Sequence, residues 1–181
     1  MISFRSQITQ KLLQYFFVNP QEKQYINELA RILDVNVANL DKKLKELEKE
    51  GVLLHEVQGK QKYYSVNKKY PLLKEIQKLF ERSYGLPQKL KELLSSLPGI
   101  QEAYIFGSYA KKTFQSESDI DIIVIGNHSV REVQKAILPL QNQLQREINV
   151  VSLSPEECTQ KRTAKDPFLT NVFTNPLIRV I

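Results

Sequence analysis

The sequence predicts an α+β fold in two parts. Three observations carry this. Apolar residues at helical spacing lead into two extended, β-prone stretches within residues 4–68. Apolar extended runs alternate with further helical segments from residue 86 onward. The break Tyr84-Gly85-Leu86-Pro87 falls between them. A chain of 181 residues is long enough for one domain or two small ones. Hydrophobic residues at 41% and charged residues at 25% are ordinary globular usage, which excludes disordered, collagen-like and disulfide-scaffold classes. The longest apolar runs, such as Ala103 to Phe106 and Ile122 to Ile125, are four residues. A membrane-spanning helix needs about 20, so no membrane partner is expected. Met1 to Leu13 carries Arg5, Gln7, Gln10 and Lys11 and lacks the apolar centre of a signal peptide, which makes a cytoplasmic location the expectation. Cys158 is the only cysteine, and His55 and His128 are the only histidines. Disulfide, cysteine-rich zinc and imidazole-based metal chemistry are therefore not expected.

The first helix follows from Ile8, Leu12, Leu13, Tyr15 and Phe16, and should end near Val18 ahead of Asn19-Pro20. Tyr25, Ile26, Leu29, Ala30 and Leu33 predict a second helix of about two turns. Asp34-Val35-Asn36 interrupts it, and Asn36 is placed to N-cap a third helix with the apolar stripe Val37, Leu40, Leu44, Leu47, stopping at Gly51. Val52 to Val57 and Lys62 to Val66 then flank Gln58-Gly59-Lys60-Gln61 as a hairpin, with Lys60 and Lys62 at or beside its tip. Pro71 opens a further helix with Leu72, Leu73, Ile76, Leu79 and Phe80 in register, ending near Gly85. Its stripe suits a connector, a subunit contact or core packing against the other domain. The net charge is +6, and residues 1–70 hold twelve Lys+Arg against eight Asp+Glu, a net of +4 that leaves +2 for the rest. Such an excess suits an anionic partner without requiring one.

Three helices followed by a basic hairpin resemble a winged helix-turn-helix domain, with "INELARILDVNVANLDKKLKELEKEGVL" carrying the resemblance over residues 4–68. The domains expected are then a winged helix over 1–70, a connecting helix over 71–85 and a second domain over 86–181. The resemblance implies DNA as partner. The third helix would enter the major groove by Asn36, Ala38, Asn39, Lys42 and Lys43, and Lys60 and Lys62 would meet the phosphate backbone. Domains of this kind also serve protein contacts and usually dimerise through flanking helices, so a homodimer is expected. The four lysines and four acids between Asn36 and Glu50 would equally suit an ordinary solvated helix.

In the second part, Leu86, Leu90, Leu93, Leu94 and Leu97 make an amphipathic helix closed by Pro98-Gly99. An apolar strand from Ile100 to Phe106 ends at Gly107-Ser108, and a short helix over Tyr109 to Phe114 leads to a polar loop. Asp119 and Asp121 then start a buried strand through Ile125, and their spacing puts both carboxylates on one face. Like charges at the edge of an apolar sheet resist ionisation, a conflict that a divalent cation resolves. Mg²⁺ takes one or two carboxylates together with phosphate oxygens and water, so the pair points to a magnesium-bound phosphate. Gly107 lets a phosphate approach the backbone, and the N–H groups after it and the Ser108 hydroxyl are donors for its oxygens. The two halves meet only if the two strands are antiparallel neighbours.

"FGSYAKKTFQSESDIDIIV" resembles the signature of the DNA polymerase β nucleotidyltransferase superfamily, in its minimal branch, over about residues 86 to 181. This implies a mixed β-sheet flanked by helices and transfer of a nucleoside monophosphate from a nucleoside triphosphate to a hydroxyl, with two metal ions. It implies Gly107 and Ser108 as substrate-binding, Asp119 and Asp121 as catalytic and metal-binding, and a helical partner protein in some relatives. Two departures stand out. The third carboxylate usual on the next strand is replaced by Asn149, which cannot act as a general base, so the two-metal site is expected to be incomplete. Glu147 shares its strand parity two residues away. Lys111-Lys112 stands where Arg-Gly is common.

Of the remainder, Val130, Val133, Ile137, Leu140 and Leu144 predict a helix that Pro139 kinks or divides. Ser154-Pro155-Glu156-Glu157 predicts a helix start, with Cys158 an ordinary helix residue, and Phe168 to Ile178 is expected to fold back onto the core. Two functions fit. One is a DNA-binding regulator whose second domain binds nucleoside triphosphate and magnesium without turnover. The other is an active nucleotidyltransferase acting on a protein, nucleic acid or small molecule.

Overall fold

The computed structural model describes residues 3–111, 113 and 118–181. The chain divides into two compact units, Met1–Gly85 with Asn142–Gln145, and Leu86–Gln141 with Arg146–Ile181.

The first unit runs α1 (Gln7–Val18), β1 (Gln24–Tyr25), α2 (Ile26–Leu33), α3 (Val37–Lys49), β2 (Leu53–Gln58), β3 (Gln61–Val66) and α4 (Leu73–Tyr84). Its core gathers Leu12, Leu13, Phe16, Leu29, Leu33, Leu40, Leu44, Leu47, Leu53 and Phe80, all buried. The helix ends follow from local chemistry. Ser6 caps α1 through Thr9, and Asn36 caps α3 by accepting from the N–H groups of Ala38 and Asn39 at 2.9 and 3.3 Å. Gly51 takes the left-handed conformation (φ 82°) that ends α3, and Val52 N–H donates back to Leu47 C=O at 3.0 Å. The turn then delivers Val52 and Leu53, both fully buried, into the hairpin.

Three features differ from expectation. Tyr25 belongs to β1 rather than to the second helix. It pairs with Tyr63 on β3, so the hairpin grows into a three-stranded sheet ordered β1-β3-β2. The tyrosine rings meet at a tilt across the pair, with centroids 5.9 Å apart, the kind of cross-strand contact that overrides a helical apolar spacing. Val37, assigned to the apolar stripe of α3, is 42% exposed, because the first turn of that helix projects beyond the core. In α4, Phe80 is buried and meets the edges of the Phe4 and Phe17 rings, so this helix is part of the first unit's core.

The second unit runs α5 (Leu86–Leu94), β4 (Ile100–Phe106), α6 (Gly107–Ala110), β5 (Ile120–Gly126), α7 (Val130–Leu144), β6 (Ile148–Leu153), α8 (Pro155–Thr163), α9 (Pro167–Thr174) and β7 (Ile178–Arg179). Its sheet is mixed, ordered β6-β5-β4-β7. β4 is antiparallel to both β5 and β7, and β5 is parallel to β6 through the α7 crossover. The central strand β5 is buried along nearly its whole length, which explains its unbroken Ile-Ile-Val-Ile run. Ile123 and Ile125 pack with Cys158 of α8 and with Leu169 and Val172 of α9. Ile122 and Val124 take the opposite face by strand alternation.

Ser154 and Glu157 form a reciprocal capping box, with Pro155 at the first helical position of α8. Pro139 does not divide α7, which is helical from Val130 to Leu144. The rung it breaks is the one to the carbonyl of Lys135, and both residues lie on the exposed side, which leaves that carbonyl open to solvent. α6 ends at Ala110, and Lys112 and Phe114 lie outside the described residues. Among the described residues no helix is long and apolar enough to cross a membrane.

Candidate functional site

Antiparallel pairing of β4 with β5 sets Phe106 opposite Asp121, so the chain leaves β4 beside the acidic start of β5. Gly107 turns there with φ 71°, a conformation that side chains resist. A Cβ on Gly107 would collide with the Asp121 carboxylate, its nearest carbon only 3.3 Å away. The positive φ therefore favours glycine, a side chain here would push the Asp121 carboxylate aside, and its absence opens the backbone toward that carboxylate. The following turn closes through Lys111 N–H to Gly107 C=O and Thr113 N–H to Ser108 C=O, each at 3.1 Å. Ser108 thus sits in the first turn of α6, next to the glycine.

Parallel pairing of β5 with β6 places Asn149 directly opposite Asp121. Its Nδ2 lies 3.4 Å from Asp119 Oδ2 and 3.4 Å from Asp121 Oδ1. Ionised carboxylates only accept hydrogen bonds, so the amide must present its NH₂ between them. At this length each bond is weak, and the amide is a loose clamp on two like charges. Partial burial raises the Asp121 pKa above the ordinary carboxylate value; the Asn149 amide pulls it back, and the Asp119 charge pushes it up again.

The structure thus gathers Gly107, Ser108, Asp119, Asp121 and Asn149 at one end of the sheet. Glu147 stays exposed at the entry to β6, where its backbone carbonyl accepts from Ile120 N–H. Among the described residues no group of three or more His, Cys, Asp and Glu side chains is placed to hold a metal ion. The two aspartates converge on a single amide group, the donor set suits a hard cation, and the glycine leaves space for a phosphate, so these residues fit one magnesium ion shared with a phosphorylated ligand. Sequence reasoning placed Asn149 at the third position but did not reveal it as the hydrogen-bond partner of both aspartates. That signal lay in the β5–β6 register, which spacing alone does not fix.

In the first unit, Asn36, Ala38, Asn39 and Lys42 are exposed along the start of α3, and Lys60 and Lys62 are exposed at the β2–β3 turn. Two of the candidates are partly engaged. The Asn36 carbonyl oxygen is used in capping, leaving its NH₂ outward, and the Lys43 ammonium pairs with Glu46 at 2.7 Å.

Residues 88–168, which span this acidic end of the sheet, match the family model described as "Polymerase beta, Nucleotidyltransferase". Over those residues the second unit is therefore similar to a nucleotidyltransferase domain. Among solved structures, the chain is similar to one described as a toxin–antitoxin with AMP-PNP, at 24% identity and a TM-score of 0.37, covering 53% of this chain and 73% of that one. It is similar also to a mutant of the toxin–antitoxin MntA–HpeT, at 22% identity and a TM-score of 0.40, covering 52% and 72%. No curated protein sequence matches the chain.

Proposed function

We propose that this protein is a DNA-binding regulator whose second unit binds a nucleoside triphosphate with magnesium and does not turn it over. The observation that carries the reading is Asn149 bridging Asp119 and Asp121 beside the Gly107 turn. When bound, magnesium neutralises the two carboxylates and offers the triphosphate oxygens a fixed positive charge. Gly107 admits the phosphate chain, and Ser108 donates a hydroxyl to it. Asn149 bridges the carboxylates and eases their repulsion while the site is metal-free. It would turn its carbonyl oxygen inward when a cation arrives, but in either orientation it accepts no proton near neutral pH. Without a base at that position an attacking hydroxyl is not activated, which favours binding over transfer.

DNA binding is supported by the order of three helices and a hairpin, by the exposed Asn39 and Lys42 on α3, and by Lys60 and Lys62 at the turn. A winged-helix use of this unit sets Asn39 toward a base edge and the lysines toward phosphates. Leu79 on α4, 61% exposed, and the neighbouring Leu72 supply an apolar edge for pairing with a second copy.

The deciding experiment is calorimetric titration of Mg²⁺ with ATP and the other nucleoside triphosphates on wild type and on Asp119→Ala/Asp121→Ala, with pyrophosphate release followed in parallel. The proposal expects binding that the double variant loses and no pyrophosphate. Steady pyrophosphate release would replace it with the enzyme reading, and absence of binding would remove the nucleotide from the account.

A further inference from the structure

We propose that the first unit has a phosphate-binding pocket of its own, set where the start of α2, the β2–β3 turn and α3 come together. The cavity holds about 270 Å³, and Ile26, Asn27, Asp41, Lys60, Lys62 and Tyr64 line it. It lies wholly within the first unit and does not depend on the nucleotidyltransferase reading.

Its wall carries the Lys60 and Lys62 ammonium groups, the Tyr64 hydroxyl, the Asn27 and Gln61 amides and one acid, Asp41. Tyr64 is the strongest indication. Its side chain is 1% exposed, and its hydroxyl has no hydrogen-bond partner among the described residues. A buried hydroxyl without a partner is costly, so its retention in place of phenylalanine calls for an explanation. Burial and the charges of Glu48 and Asp41 raise the Tyr64 pKa, which keeps the proton on the oxygen and makes the group a donor at neutral pH. A second, independent indication is the start of α2. Its N-cap position is Tyr25, which makes no side-chain capping bond, and the one acid of its first turn, Glu28, is engaged by Arg31, so the positive end of the helix at Ile26 and Asn27 borders the cavity without a capping side chain. Third, Lys60 and Lys62 extend over the cavity, and among the described residues neither ammonium has an ion-pair partner. The one acid on the wall, Asp41, is already paired with Lys45 at 2.5 Å.

A hydroxyl donor, a helix N-terminus and two ammonium groups around one space call for a ligand with several acceptor oxygens and more than one negative charge, which is the chemistry of a phosphate group. The volume exceeds that of a bare phosphate and leaves room for a short carbon skeleton against Ile26, so a free phosphomonoester fits. A nucleic-acid backbone presents the same phosphate from a different source.

The test uses the full chain in magnesium-free buffer, with backbone amide NMR shifts of Ile26 and Asn27 followed against inorganic phosphate and against glycerol 3-phosphate. Saturable shifts are expected, with affinity weakened about tenfold in Tyr64→Phe. Affinity should also fall in Lys60→Ala/Lys62→Ala, a surface change that leaves the core intact. Tyr64→Phe retains the ring, and an unchanged spectrum elsewhere verifies its fold. Absence of saturable shifts at millimolar phosphate, or equal affinity in Tyr64→Phe and wild type, would overturn the proposal. A short DNA duplex then distinguishes the source. Displacement of phosphate by duplex, with Tyr64→Phe weakening the duplex by a similar factor, assigns the pocket to a DNA backbone phosphate; glycerol 3-phosphate that stays bound beside duplex assigns it to a free phosphomonoester. Both outcomes uphold the pocket.

Discussion

Asn149 exerts its effect through two long hydrogen bonds. It donates to both Asp119 and Asp121, and so lessens a repulsion between like charges that a third carboxylate would add to. Replacing it should have opposite effects with and without metal. Asn149→Asp is expected to lower the melting temperature of the metal-free protein and to tighten magnesium binding about tenfold. Unchanged magnesium affinity in a folded variant would show that the amide is not what limits the site. The raised pKa of Asp121 sets a pH dependence whose sign follows directly. Its contribution to stability is complete below the unfolded-state value and is lost as pH rises through the higher folded-state value, because the charged form is the one that the fold disfavours. Asp121→Asn removes the charge, so without metal it should raise the melting temperature by about 1–3 °C near neutral pH, and the gain should vanish in acid. Magnesium affinity of wild type should rise with pH across the same titration.

At the scale of the element, α3 depends on its cap and the hairpin on its turn. The Asn36 side chain satisfies two N–H groups of the first turn, so Asn36→Ala should cost about 1 kcal/mol of the first unit's stability in denaturant titration. A smaller loss would mean that water caps the helix equally well. Gly59 and Lys60 form the hairpin turn, with Lys62 on β3 close to it. If these lysines meet DNA phosphates, Lys60→Ala/Lys62→Ala should reduce the slope of log affinity against log salt by about 2, and an unaltered slope would remove the hairpin from the interface. The pattern of the helices was legible in the chain, since apolar spacing and caps are local. β1 was not: two residues carry no periodicity, and only Tyr63 on β3 shows that Tyr25 is a strand residue. Pro139 was expected to kink or divide α7 and does not divide it; its exposed position leaves the freed carbonyl open to solvent, which softens the cost of the missing rung.

At the scale of the whole molecule, each unit has its own buried core and its own candidate ligand. Magnesium with ATP should therefore stabilise the second unit, by about 2.7 kcal/mol at a ligand concentration of 100 times Kd. Hydrogen exchange resolved by residue would show protection growing along β4, β5 and β6; protection growing equally in α1 to α3 would mean that the ligand also engages the first unit. The sequence by itself determined the α+β class, the helix caps, the buried central strand and the Gly107, Ser108, Asp119 and Asp121 constellation, because these rest on local spacing and on residue types that few other environments tolerate. The tertiary structure alone decided that Asn149 faces both aspartates, that Gly107 lies against the Asp121 carboxylate, and that Tyr64 is buried at a cavity with its hydroxyl unpartnered among the described residues. Those facts depend on strand register and on the distance between segments far apart in the chain, and no local pattern encodes either.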